Sequence, residues 1–238
     1  MPVTTSARPP RPWAIAPLLV LVVAFVTFAS PPYLTLDPAQ SRIPLTSSFR
    51  PYYSFLVGHV IFGSVAILSC CLQVWPWFRA RYPAAHRVVG RVYVFGGVLP
   101  AGGLGLVIGA LTPFGPTLRA SNILLAIVWL SVTLAGFRAA QQYRVVEHRR
   151  WMIRSVVLTL SIISNRLWAV VWVLTLSPQL GTTFGGNEAL MIQTIAGVSG
   201  WLGWVLPLLV TEWWLETRGL PARPAGVPAG VSVGAPVV

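Results

Sequence analysis

Apolar residues in this chain come in long, nearly charge-free runs rather than in alternation. Six such runs stand out, at about 13–29, 52–75, 88–111, 120–140, 151–176 and 189–216. Most are long enough for a helix to cross the roughly 30 Å hydrocarbon core of a bilayer. The first ends on Thr27-Phe28-Ala29, which resembles a weak signal-peptidase site. It is longer than the usual apolar region of a signal peptide, so an uncleaved anchor helix is expected. The fold class is therefore all-α: a polytopic transmembrane helix bundle of about six helices occupying 13–216. The polar, Pro-rich start (1–12) and the Pro/Gly/Ala/Val tail (219–238) lack a helical period and are expected to be disordered.

Two patterns inside the runs suggest how the helices meet. The third is rich in glycine, with Gly105 and Gly109 four apart and Pro100 near its middle. Small residues at that spacing admit a close neighbour, and the proline predicts a kink. On the second helix His59, Gly63, Ala66, Cys70 and Gln73 share one face, a small and polar stripe that should turn inward. A short repeat links the hairpins: His86-Arg87-x-x-Gly90-Arg91 joins helices 2 and 3, and His148-Arg149-Arg150 with Arg154 joins helices 4 and 5. It predicts a four-helix core of helices 2 to 5, with the first and sixth peripheral.

Composition agrees with a membrane setting. The chain is 55% hydrophobic and 9% charged, and its mean hydropathy is +0.71. Its 17 basic residues are all arginine, against 5 acids, for a net charge of +12. These arginines flank the apolar runs, which argues against nucleic-acid binding and for contact with anionic lipid. Thirteen of them fall at the N-terminus, the 2–3 and 4–5 connections and the C-terminus; only Arg42, Arg50 and Arg119 fall on the other side, and Arg166 lies within the fifth helix. Excess arginine marks the cytoplasmic face, so both termini are expected in the cytoplasm of a bacterial inner-membrane protein. Cys70 and Cys71 are adjacent on one helix and cannot form an ordinary disulfide.

Ionisable groups at membrane depth are costly and carry most of the functional information. His59 is expected to face the bundle interior, as a core histidine bonded to a backbone carbonyl or as a ligand or proton-relay group. Arg166, beside Asn165, sits at similar depth and cannot shed its charge. Three outcomes are open for it: a bound anion, a folded-in carboxylate from Asp37 or Glu188, or snorkelling to the outer interface. Ser155, Thr159, Ser161 and Asn165 lie on the same broad sector of helix 5, so a pocket between helices 2 and 5 is expected, lined by His59, Asn165 and Arg166. His86 and His148 head two core helices on the arginine-rich side. They are either interfacial residues or a facing pair able to ligate haem b or relay protons. Glu212 shares a depth with Arg154 and Arg91 and is expected to pair with one of them. No P-loop, Gly-x-Ser-x-Gly, zinc-type spacing or pair of membrane carboxylates occurs in the sequence.

Together these residues resemble a bacterial family of predicted membrane proteins, domain of unknown function 2306. The matching elements are His59, Gln73, Arg79, His86-Arg87-Val88-Val89-Gly90-Arg91-Val92-Tyr93 and His148-Arg149-Arg150-Trp151-Met152-Ile153-Arg154. They continue with Arg166, Trp201-Leu202-Gly203-Trp204-Val205 and Glu212. The resemblance implies no activity. Three functions compete: a redox protein holding b-type haem at His86 and His148 and exchanging electrons with quinone; a transporter-like protein, as a homodimer if six helices are too few, binding an anion or lipid at His59 and Arg166; and a structural accessory subunit.

Overall fold

The computed structural model describes residues 12–45 and 49–217. The tails expected to be disordered lie outside the described residues, apart from Pro12. The described chain is helical and holds no strand. Its main helices are α1 (Ala16–Ala29), α2 (Tyr52–Val74), α3 (Pro83–Ala110), α4 (Gly115–Gln141), α5 (Val145–Leu176) and α6 (Glu188–Thr217). Prolines set several boundaries, because they lack the N–H that a helix interior needs. Pro76 opens a short helix, Pro76–Arg81, and Pro83 opens α3.

Helices α2 to α6 are each long and apolar enough to cross a membrane. The first apolar run departs from the expected crossing. It forms a 3₁₀ turn at Pro12–Ile15 and a helix of 14 residues, about 21 Å. Ser30-Pro31-Pro32 then breaks it, and a single turn, Pro31–Leu34, follows. The Ser30 and Ser64 hydroxyls meet at 3.2 Å. Ser64 is twelve residues from Tyr52, about 18 Å along α2. The end of α1 is thus level with the middle of its neighbour. Tyr33 completes the passage, packing with Tyr52, Leu56 and Val57 near the start of α2.

The α2–α3 contact explains the small stripe on α2. A Cβ at Gly97 would lie 2.8 Å from the Ala66 Cα, so only glycine allows the two backbones this close. Gly97 lies in a π-helical stretch of α3, Val92–Val98, where Leu99 N–H reaches the Val94 carbonyl. Pro100 follows immediately, and the widened turn accommodates its missing N–H and the bulk of its ring.

The expected peripheral place of the sixth helix is corrected. It packs extensively on α5 and also on α4. The reason is local: a Cβ at Gly203 would meet the Asn165 Cβ at 2.7 Å, so α6 lies directly against the α5 backbone. Trp204 then enters the core and donates to the Ser121 hydroxyl at 3.0 Å.

Gly97→Ala should push α2 from α3 and cost about 1–3 kcal/mol, the usual range for overpacking. Gly63→Ala, with nothing within 4 Å of its Cβ position, should leave stability unchanged or slightly raised. Thermal unfolding of both variants in one detergent checks the contrast; equal midpoints would refute it.

Candidate functional site

The bundle centre is a closed set of hydroxyls. Tyr93 of α3 is fully buried, and its hydroxyl meets Ser155 at 2.6 Å and Thr159 at 2.8 Å on α5. Trp129 of α4 donates to the Thr159 hydroxyl at 3.0 Å, and Thr133 meets Ser155 at 2.6 Å. Sequence reading placed Ser155 and Thr159 on a pocket lining and did not single out their partners. Their spacing of four signals a shared face, but nothing local identifies Tyr93 or Trp129 as what that face meets.

The expected pocket of His59, Asn165 and Arg166 between α2 and α5 is not the arrangement found. Each residue turns to a different neighbour. His59 Nδ1–H donates to the Ala101 carbonyl of α3 at 2.8 Å, and its ring lies over Gly105. Asn165 packs on Gly203 of α6. Arg166 is exposed and lines an apolar groove with Phe25 and Phe28 of α1. The α2 stripe therefore joins α2 to α3 along its length, from His59 through Ala66 to Gln73, which donates to the His86 carbonyl at 3.1 Å.

The arginine-rich end gathers more chemistry. His86 and His148 sit in the first turns of α3 and α5, where helix dipoles place partial positive charge. His148 Nδ1–H donates to the Gly136 carbonyl at 2.9 Å, leaving Nε2 as the lone-pair nitrogen of the neutral ring. His86 Nδ1 is buried without a hydrogen-bond partner, and so is Trp75 Nε1. Arg79, His148 and Arg87 all lie close enough to His86 to act on it electrostatically. Partial burial and the neighbouring Arg149 both push the pKa of Arg79 below its ordinary value. Beside these groups Trp75, Trp77, Phe78 and Tyr82 form an aromatic cluster with centroids 5.0–6.2 Å apart.

The acids at this end are already committed. Glu147 pairs with Arg144 and Glu216 with Arg150. Glu212 holds Arg154 through two bonds, Nε to Oε1 at 2.5 Å and Nη2 to Oε2 at 2.7 Å. Of the two arginines at its depth, Glu212 is bonded to Arg154 and not to Arg91. Among the described residues no carboxylate is bonded to Arg79, Arg87, Arg91 or Arg149. No group of three or more His, Cys, Asp or Glu able to hold a metal occurs among them either.

The helical bundle and its apolar spans define an all-α, multi-pass membrane protein. The chain belongs to the family described as a predicted membrane protein, DUF2306, whose model matches residues 56–215. That span runs from α2 through α6 and leaves out α1. No curated protein and no solved structure matches the chain.

Glu212→Gln should strand the Arg154 charge, whose side chain is 14% exposed. The Glu212 side chain is 38% exposed, so the loss should be about 1–2 kcal/mol, below that of a fully buried pair. Adding Arg154→Gln should restore part of the unfolding temperature, and adding Arg91→Gln should restore none. Equal rescue by both would contradict the pairing.

Proposed function

We propose that the protein is an inner-membrane protein that binds an anionic, phosphate-bearing amphiphile at its arginine-rich end, which faces the cytoplasm. One observation carries the reading: His86 Nδ1 is buried and unpartnered at an end where the acids are already paired and no carboxylate among the described residues is bonded to Arg79, Arg87 or Arg149. An anion there takes hydrogen bonds from guanidinium groups that lack a carboxylate and sits at the positive ends of α3 and α5. The Trp75–Tyr82 aromatic cluster suits the chain of a molecule seated at the membrane interface.

Purified wild-type protein should retain bound phospholipid through detergent exchange. Arg79→Gln with Arg149→Gln should retain measurably less, read by phosphate assay and native mass spectrometry. Equal retention would defeat the proposal. Orientation has its own test. Cysteine placed at Ala84 should resist an impermeant thiol reagent added outside intact cells, and cysteine at Gly186 should react. The native Cys70 and Cys71 are buried and give little background. Labelling of position 84 from outside would reverse the topology.

A redox reading has one observation in its favour. The Nδ1–H of His148 is held by a carbonyl, the arrangement that fixes a ligating imidazole. His86 and His148 would be the axial ligands of haem b, with Arg79 and Arg149 near its propionates. The open grooves beside Arg166 and beside Pro207 adjoin neither histidine. A Soret band in the purified protein, lost in His86→Ala and His148→Ala but kept in His59→Ala, would establish this reading over the first. A quinone without haem would instead appear in solvent extracts.

A further inference from the structure

We propose a second anionic-lipid site in the opposite half of the bundle. There an acyl chain lies in the groove between α1 and α5, and the headgroup phosphate rests on Arg166 and Arg42. The groove is open and holds about 370 Å³. Its walls are Phe25 and Phe28 of α1 and Val170, Val173 and Leu174 of α5, with Arg166 as its one charged member. It exists because α1 stops level with the middle of α2, and beyond that level Val170, Val173 and Leu174 of α5 are exposed.

Three features select the occupant. Arg166 has no hydrogen bond or ion pair among the described residues, yet it is fixed on an apolar spanning helix and stays charged. Arg42 shares a neighbour with it, since the Phe28 ring that carries the Arg42 guanidinium also lines the groove with Arg166. The Arg42 guanidinium donates to the Phe28 carbonyl at 2.9 Å and lies 4.4 Å over the Phe28 ring. It caps the last turn of α1, where the free carbonyls favour a cation. Two guanidinium groups at the mouth of an apolar groove match a phosphate joined to a hydrocarbon chain. A lipid with net negative charge fits better than a zwitterionic one, because a choline would bring a third cation to the same place.

The site does not depend on the arginine-rich end, and the test keeps the two apart. Full-length protein in mild detergent is titrated with dioleoyl-phosphatidylglycerol or dioleoyl-phosphatidylcholine, and bound lipids are counted by native mass spectrometry. Wild type should prefer phosphatidylglycerol. Arg166→Gln should fold and lose one bound lipid, with affinity at that site down about tenfold, as expected for one lost charge-assisted contact. Val170→Trp, which fills the groove and leaves the charge, should cause the same loss and decides the matter if Arg166→Gln does not fold. The Arg79→Gln and Arg149→Gln double variant should keep this component. Unchanged phosphatidylglycerol binding in Val170→Trp, or displacement of the lipid by millimolar sodium phosphate, would overturn the proposal.

Discussion

A polar group inside this bundle depends on partners within the protein, because hydrocarbon offers none. The Tyr93 hydroxyl states that constraint most sharply. It is buried where α3, α4 and α5 converge, and it is satisfied only if Ser155 and Thr159 present their hydroxyls to it. Trp129 and Thr133 then bind the same two residues. Rotating any of the three helices would break several bonds at once. Apolar packing among lipid-like side chains tolerates sliding, whereas a shared set of hydroxyls admits one register.

The same logic explains the histidines. His59 and His148 each give Nδ1–H to a carbonyl of an adjacent helix, at Ala101 and Gly136. His59 lies over Gly105, and His148 reaches the backbone at Gly136 itself, where α4 and α5 approach closely. A small residue thus lets a polar side chain reach a neighbouring backbone. His86 is the departure, since its Nδ1 has no such carbonyl. Two histidines tie helices together and the third keeps an unspent nitrogen, which is why the arginine-rich end reads as a place where something binds.

Much of this was legible beforehand, for physical reasons. Length and apolarity mark α2 to α6 because a spanning helix has to be long and uncharged. The stripe from His59 to Gln73 reads as an interface because small and polar residues share one face. Which helix would meet it was not legible, since spacing gives a face and never the identity of the neighbour. That is how His59 came to be expected beside Arg166, when it lies on Gly105. Arg154 and Arg91 were equivalent candidates for Glu212 on the same ground, since depth can be read and azimuth cannot. The first run was read as a crossing by its length. Pro17 and the Ser30-Pro31-Pro32 break shorten the helix it forms.

The short α1 links the fold to the charge distribution. A helix that ends level with the middle of its neighbour leaves backbone carbonyls at a depth where water is scarce. Arg42 folds back to satisfy one of them, and in doing so brings a second guanidinium toward Arg166. At the other end three glutamates are bonded to Arg144, Arg150 and Arg154, which leaves Arg79 facing Arg149. With 17 basic residues and 5 acidic ones the chain carries more positive charge than its own acids can pair. Anion binding as proposed at the two ends would supply the negative charge that the chain lacks, and the store of it nearest a membrane surface is the phosphate of anionic lipid.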